Sequence, residues 1–227
     1  MTDALPAWWP TAPVDTRNQM DAEQLLGRIC PGSVTTAFFD PQYDGVLRHL
    51  QLGNEGKSRQ VGRCALDKMT DEQITRIIGG ICSALRPSGH LFLWVDRYHL
   101  VEGSHRGWLP EGVEMVSMIT WDKDRMGMGY RARCQSEFLI VIQKLPNRAK
   151  GVWTDRAIRD VWREDVGQPA KRSHVHQKPP GLLRRLIGAT SKPGDLVLDP
   201  AAGGWGVLDA AVAMDRRFIG CDLVAAS

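Results

Sequence analysis

The chain has 227 residues and a formal net charge of +3, and 43% of its residues are hydrophobic and 24% charged. These values are ordinary for one globular domain, and they exclude a disordered or fibrous chain. No apolar run reaches the roughly 18 residues of a membrane-spanning helix, and the first residues lack the basic and apolar regions of a signal peptide, so we expect a cytoplasmic protein.

The cysteines give no sign of a disulfide framework or a zinc site. There are five of them, and no two are spaced as C-x-x-C. We therefore expect reduced thiols, as in a cytoplasmic protein.

The first half of the chain predicts an arm, a strand and two helices. Residues 1–19, rich in proline and tryptophan, predict an extended arm that packs over the core. Residues 21–29 have helical apolar spacing, and the β-branched and aromatic run 34–39 predicts a buried parallel strand. The polar and basic segment 44–69 predicts a loop, and residues 70–85 predict a helix that opens with a Thr–Gln capping box.

The second half continues the alternation of strands and helices. Turn residues 87–89 separate the preceding helix from the next strand, and an arginine- and methionine-rich loop is predicted over 122–135. In chain order the elements are strand 90–95, strand 113–121, strand 138–142, helix 155–161, helix 179–190, strand 195–199, helix 207–214 and strand 217–222. This alternation predicts an α/β fold, with a mostly parallel twisted sheet and helices on both faces.

A glycine-rich turn follows the strand that ends at Asp199. The turn leads into a helix, and the next strand ends in a second acid, Asp222. Glycines let a ligand approach the backbone, the helix start offers unpaired N–H groups, and an acid after the second strand can accept hydrogen bonds from ribose hydroxyls. These features predict a nucleoside cofactor at the carboxyl edge of the sheet, and the alternative is a tight turn without a ligand.

The tetrapeptide Asp40-Pro41-Gln42-Tyr43 follows the buried strand 34–39. Asp40 and the Pro41 carbonyl can accept hydrogen bonds from an amino group, and the Tyr43 ring can stack on a planar group. These residues suit the exocyclic amine of a flipped-out base. The alternative is an ordinary turn after a strand.

A third segment, residues 174–179, precedes the helix that leads to the glycine-rich turn. Lys178 at a helix start opposes the helix dipole, and a ligand carboxylate would relieve that conflict. His174 and His176 raise a metal hypothesis, but further ligands at suitable spacing are lacking, so we expect no metal.

In this order the three segments resemble the beta class of DNA amino-methyltransferases, which use S-adenosylmethionine. The D-P-P-Y motif of that family is similar to residues 40–43, with Gln42 in place of the second proline. Its D-P-F-x-G-S-G motif is similar to residues 199–206, where Trp205 replaces a small residue, and its H-P-x-x-K-P motif to residues 174–179. The resemblance extends over about residues 20–223, and includes the middle-strand markers Trp121-Asp122-Lys123 and Glu137.

The resemblance implies a Rossmann-like methyltransferase fold in a single domain, residues 1–227. It also implies methyl transfer from S-adenosylmethionine to the exocyclic amine of adenine in DNA, because a tetrapeptide that begins with Asp goes mostly with adenine. The catalytic residues would be Asp40, Pro41, Gln42 and Tyr43. The cofactor-binding residues would be Asp21, Lys178, Asp199, Pro200, Ala201, Gly203, Gly204, Gly206 and Asp222.

The basic segments 44–69 and 145–173 are candidates for contact with double-stranded DNA. The second is too short for a large recognition domain, so we expect short or relaxed sequence specificity, or dependence on a second copy or a partner chain. A restriction–modification or phage setting would suit so small an enzyme. Methylation of RNA adenine or cytosine N4 remains an alternative, as does a non-catalytic subunit that binds nucleic acid.

Overall fold

The computed structural model describes residues 10–43, 68–127, 132–167 and 177–223. One sheet of eight strands spans this part of the chain, in the order β1-β8-β7-β2-β3-β5-β4-β6. The strands are β1 (Asn18–Gln19), β2 (Val34–Phe39), β3 (Leu85–Val95), β4 (Val113–Asp122), β5 (Ser136–Lys144), β6 (Val161–Arg163), β7 (Leu196–Asp199) and β8 (Arg217–Asp222). The helices are α1 (Ala22–Leu26), α2 (Asp71–Ala84), α3 (Arg97–Glu102), α4 (Pro180–Thr190) and α5 (Gly206–Val212), with a 3-10 turn at Ser104–Arg106.

The sheet is mostly parallel, as the alternation of elements predicts. Among the described strands, β5 alone runs against the others, since it pairs antiparallel with both β3 and β4. The other adjacent pairs are parallel. The carboxyl ends of the parallel strands therefore meet at one edge of the sheet, where ligands of α/β proteins bind.

The core lies on both faces of the sheet. Helices α1 and α2 cover one face and α4 and α5 the other, each with its own cluster of buried apolar side chains. Strand β2 is buried along its whole length, because it lies between β7 and β3 and is covered on both sides. Its uninterrupted apolar and β-branched sequence is typical of such a position.

Helix α2 begins and ends with specific hydrogen bonds. The predicted capping box is present: Thr70 Oγ1 accepts from the Gln73 N–H at 3.3 Å, and Gln73 Oε1 accepts from the Thr70 N–H at 2.8 Å. At the other end the ammonium of Lys144 donates to the carbonyls of Cys82 and Leu85, each at 2.7 Å. This cation complements the helix C-terminus and ties α2 to β5.

Residues 87–89 were predicted to form a turn before the next strand, but they lie within β3. Strand β3 begins at Leu85, and its register with β2 moves from the pair Val34 and Leu85 to the pair Thr36 and His90, so the extra residues bulge. A Cβ at Gly89 would lie only 3.0 Å from the Thr35 carbonyl oxygen. The turn signal is therefore absorbed as a bulge beside a closely packed neighbour strand.

The helix predicted over 155–161 is wrong. Asp155 instead accepts a hydrogen bond from the Ala157 N–H at 2.9 Å in a turn, and the Trp153 indole donates to the Asp155 carbonyl at 2.7 Å. Residues 161–163 then pair in parallel with the end of β4. Strand β6 and the six-residue α3 are too short to show a periodicity in the sequence, and both depend on tertiary partners.

The described part of the N-terminal arm packs on the domain, as predicted. Asn18 and Gln19 add β1 beside β8, the Asn18 amide donates to the Gly220 carbonyl at 2.9 Å, and Ala12 is buried in the core. Residues 1–9, with the Trp8-Trp9 pair, lie outside the described residues. Within the described ranges, every helix is too short or too polar to cross a bilayer.

Candidate active site

Three predicted acids come together at the carboxyl edge of the sheet. Asp40 follows β2, Asp199 is the last residue of β7, and Asp222 is the last residue of β8. Strand β7 pairs with β2 on one side and with β8 on the other. The topology thus places the tetrapeptide beside the glycine-rich turn, although they are far apart in sequence.

Lys178 contacts the first of these acids. Its ammonium lies 2.8 Å from Asp40 Oδ2 and 2.9 Å from Glu137 Oε2, and 4.5 Å from the ring centroid of Trp94. Burial by itself lowers the pKa of Lys178, but the two carboxylates outweigh burial and raise the pKa above its ordinary value. Two of the three ammonium donors thus serve these acids, and the contact with a cofactor carboxylate stays a prediction.

Glu137, on β5, joins two lysines. Besides Lys178 it pairs with Lys123, whose ammonium lies 2.6 Å from Glu137 Oε1. Burial raises the pKa of Glu137, but the two lysines dominate and lower it to about 2. Each ammonium also faces a tryptophan ring, Lys178 over Trp94 and Lys123 over Trp121. The sequence marks Glu137 through the resemblance alone, without a role, and gives no signal for Trp94 beyond a strand aromatic.

The rest of the tetrapeptide is fixed by its neighbours. Pro41 is buried, and the Gln42 carbonyl accepts a hydrogen bond from the Met69 N–H at 3.0 Å. Tyr43 donates its hydroxyl to the Trp94 carbonyl, and its ring lies 5.6 Å from that of Trp108. Burial, with Asp40 and Asp96 nearby, raises the pKa of Tyr43 well above 10, so the phenol stays neutral.

The wall behind Tyr43 comes from the segment after β3, which the sequence did not predict to be helical. Asp96 caps α3, accepting from the Tyr98 N–H at 2.7 Å, and its other oxygen contacts His99 Nδ1. The His99 ring lies 4.8 Å from that of Tyr43. The tyrosine ring therefore has one side supported by aromatic neighbours.

Asp199 is a buried carboxyl, 6% exposed, whose Oδ1 accepts the Ala201 N–H at 3.1 Å. Its pKa is raised to about 7, mainly by burial, with Asp40 and Asp222 adding to the shift and the Ala201 hydrogen bond and Lys178 opposing it. Pro200 is buried behind it, and its carbonyl accepts from the Cys221 thiol at 3.3 Å.

The glycine-rich turn is anchored to the next strand. Gly203 has φ +47°, in the region that favours glycine, and its N–H donates to Asp222 Oδ2 at 2.8 Å. Gly204 continues the turn, and Gly206 is the first residue of α5. The predicted strand, turn, helix and acid are thus adjacent in space.

Trp205 lies in the same turn, but its side chain belongs to the core. The residue is 4% exposed, and its ring meets the Phe218 ring edge-on at 6.3 Å. It adopts φ +60°, an uncommon conformation for a large side chain. Core packing therefore accounts for a bulky residue where the resembling family has a small one.

Asp21 reaches the same edge through the arm. It follows β1, which pairs with the end of β8, and its Oδ1 caps α1 by accepting from the Glu23 N–H at 2.7 Å. Its side chain is exposed. The capping role is structural, and the predicted place near the cofactor adenine stays a prediction.

The segments predicted to contact DNA are described only in part. Residues 44–67 and 168–176, which include His174 and His176, lie outside the described residues. Among the basic side chains that are described, Lys123 pairs with Glu137, and Arg163 lies 2.9 Å from Asp122. Among the residues that the structure describes, no cluster of three or more His, Cys, Asp or Glu could hold a metal ion.

Comparison with known proteins identifies the family. The sequence model of the DNA methylase family matches residues 60–225. The chain is 47% identical over 213 residues to the type II methyltransferase M.HhaII of Haemophilus parahaemolyticus, covering 93% of this chain and 92% of the relative. It is 40% identical over 81 residues to the DNA adenine methyltransferase YhdJ of Escherichia coli K12, covering 36% of this chain and 24% of that protein.

A solved structure has the same fold. The crystal structure of the M1.HpyAVI–SAM complex superposes with a TM-score of 0.65 at 16% identity, covering 92% of this chain and 94% of that chain. The fold, the adjoining motifs and the family match agree, and the chain belongs to the DNA methylase family, as an S-adenosylmethionine-dependent DNA amino-methyltransferase.

Proposed function

We propose that this DNA methyltransferase acts on the N6 amine of adenine in double-stranded DNA, with the target base flipped out and with short or relaxed sequence specificity. The observation that carries the proposal is the position of Asp40, at the end of β2, beside Asp199 and Asp222 at the ends of β7 and β8. A base bound at Asp40 would therefore lie next to a cofactor bound at Asp199 and Asp222.

The cofactor side fits S-adenosylmethionine, which carries a sulfonium and an ammonium. Asp199 is a buried carboxyl among like charges, so a cationic ligand would stabilise its ionised form. The exposed backbone of Gly203 allows close approach, and Asp222 ends the second strand, where ribose hydroxyls are bound in nucleotide folds. When bound, the cofactor supplies an electrophilic methyl group.

The remaining cofactor assignments follow from the same edge. Pro200 and Ala201 would form the wall beside Asp199, Gly204 and Gly206 the rest of the turn, and Asp21 would face the adenine ring from the arm. Lys178 would use its third donor for the cofactor carboxylate. These roles rest on the resemblance together with the shared position at the sheet edge.

On the base side the work falls to Asp40 and Pro41. The lone pair of an exocyclic amine is delocalised into the ring, so the amine is a poor nucleophile. A carboxylate oxygen of Asp40 and the Pro41 carbonyl would accept hydrogen bonds from its two N–H groups, favour a tetrahedral nitrogen, and stabilise the positive charge that develops there. Alignment of the amine nitrogen with the methyl group would supply much of the remaining rate enhancement, and no thiol nucleophile is needed.

Tyr43 would stack on the flipped base. Its hydroxyl is tied to the Trp94 carbonyl and its ring is supported by Trp108, so the ring is held in place before the base arrives. The Gln42 carbonyl, bonded to the Met69 N–H, would keep the tetrapeptide in shape despite the missing second proline. Because the site is preorganised in this way, binding a flipped base would cost less conformational entropy.

Adenine is favoured over cytosine because the tetrapeptide begins with Asp. YhdJ, which shares 40% identity over its aligned region, is also named an adenine methyltransferase. Short specificity is proposed because, in residues 145–167, the structure describes one short strand rather than a recognition domain.

The test is transfer of a tritiated methyl group to unmodified genomic DNA, followed by digestion and separation of the nucleosides. Label in N6-methyladenine is expected, with sequencing of the modified sites to give the specificity. Label in N4-methylcytosine would replace the proposed base. RNA and single-stranded DNA run in parallel, and preferential labelling of either would contradict a double-stranded DNA substrate.

A further inference from the structure

One charged residue at the site has no part in the mechanism proposed above. Glu137 lies on the antiparallel strand β5 and does not belong to the tetrapeptide or to the cofactor turn. It nevertheless reaches the same lysine as the proposed base-binding acid, since Lys178 lies 2.8 Å from Asp40 and 2.9 Å from Glu137.

Lys178 has two opposite effects on Asp40. It fixes the orientation of the carboxylate, which helps to position the base amine. It also places a positive charge beside the group that must stabilise positive charge on the amine nitrogen. A lysine paired with Asp40 alone would therefore compete with the base for the oxygens of Asp40.

Glu137 balances that charge. It shares the Lys178 ammonium and also holds Lys123 at 2.6 Å, while Trp94 and Trp121 face the two ammonium groups. We propose that Glu137 is a positioning residue for methyl transfer, which acts through Lys178 to hold Asp40 in place without neutralising it. The proposal rests on the proposed role of Asp40.

The backbone near Lys178 has its own support. The first turn of α4 is held by Glu164, the residue after β6, which accepts from the Gly181 N–H at 2.8 Å and the Leu182 N–H at 3.2 Å. Loss of the Glu137 charge should therefore leave the helix start in place. Its effect would be on the orientation and charge of the Lys178 and Asp40 side chains.

The experiment is single-turnover methyl transfer by Glu137→Gln, with Glu114→Gln as the matched control. Glu114 lies at the opposite end of the β4–β5 pair and bonds to Asn147 at 3.1 Å. We expect Glu137→Gln to lower the transfer rate about 10-fold or more, as for the loss of one charge-assisted hydrogen bond, with cofactor Kd changed less than about 2-fold. Glu114→Gln should have the wild-type rate.

A double-mutant cycle tests the route through Lys178. In a Lys178→Met background, Glu137→Gln should cause no further loss, because the ammonium through which Glu137 acts on Asp40 is already absent. Glu137→Asp, which keeps the charge, should recover part of the rate, and it also serves if Glu137→Gln does not fold. A wild-type rate in Glu137→Gln, a full additional loss in the double variant, or no recovery by Glu137→Asp would each overturn the proposal.

Failure of the proposed function has a different signature. If Asp40→Ala transferred methyl groups at the wild-type rate, or if the product were not methyladenine, the base-binding site would be misassigned. If Asp40→Ala is inactive while Glu137→Gln has the wild-type rate, only the role of Glu137 is lost.

Discussion

Two carboxyl groups at the same sheet edge have opposite electrostatic environments. Glu137, on the side proposed for the base, has its pKa lowered to about 2, because two lysines outweigh the effect of burial. Asp199, on the side proposed for the cofactor, has its pKa raised to about 7, mainly by burial, with Asp40 and Asp222 adding to the shift. Its hydrogen bond from the Ala201 N–H is too weak to offset these effects.

The two sides obtain their counter-charges in different ways. The side proposed for the base brings its own counter-charges, so Glu137 stays ionised whether or not a ligand is bound. The cofactor side is built from backbone N–H groups and acids, and a cationic ligand would supply the missing charge. We therefore expect rate effects from substitutions on the base side, and affinity and pH effects from those on the cofactor side.

The largest expected effect is on the base side. Asp40→Ala removes the carboxylate that would stabilise the amine, and we expect the transfer rate to fall by about 100- to 1,000-fold, as for loss of one preorganised electrostatic contact. Cofactor Kd, measured by calorimetry, should change little, because Lys178 retains its pair with Glu137. A large loss of cofactor binding would show that Asp40 belongs to the cofactor side.

A smaller effect is expected from Asp222→Asn on the cofactor side. This carboxylate accepts the Gly203 N–H at 2.8 Å and would hold the ribose, so cofactor Kd should rise by about 10-fold or more, the value of one charged hydrogen bond. At saturating cofactor the transfer rate should approach that of the wild type. A rate loss that saturation does not restore would contradict the division between the two sides.

The smallest expected effect is a pH dependence of cofactor binding. Asp199, with a pKa of about 7, is mostly protonated at pH 6, and binding of a cation requires its ionised form. Between pH 6 and 7.5, below the titration of the cofactor's own amine, affinity should therefore rise by roughly 8-fold. Titrations in Asp199→Asn should be flat over this range, and an equally steep profile in that variant would assign the titration to another group.

The contributions of these two groups to the free energy of unfolding change with pH in opposite directions. Because the folded pKa of Asp199 exceeds its ordinary value of 3.8, its contribution to the free energy of unfolding falls as pH rises from about 4 to about 7. The pKa of Glu137 is lowered from 4.5 to about 2, so its contribution is present above about pH 4.5 and is lost as pH falls through 2.

Several elements could be predicted from local sequence. The strand of residues 34–39 and the strand of residues 217–222 have the predicted bounds, and the Thr70 capping box is present. The mostly parallel sheet and the S-adenosylmethionine-dependent DNA methyltransferase family are also confirmed. Apolar runs and caps are local properties of the chain, and the order of the motifs can be obtained directly from the sequence.

Other elements depended on partners distant in sequence. Residues 155–161 were predicted to form a helix, but they form a turn whose last residue begins β6, which pairs with the end of β4. The turn residues 87–89 became a bulge because Gly89 packs against the backbone of β2. The predicted contact of Lys178 with the cofactor stays a prediction, and the fold also brings its ammonium to Asp40 and Glu137, which the sequence did not indicate.

Local sequence patterns predicted the candidate residues: an acid and a proline after a buried strand, and a glycine turn between two acids. Apolar periodicity also determined that these residues lie at strand ends. The charges around them depend on the tertiary structure, since the lysine neighbours of Glu137 come from the residue after β4 and from the segment before α4. Electrostatic interaction depends on distance in space and on burial, and neither can be obtained from positions along the chain.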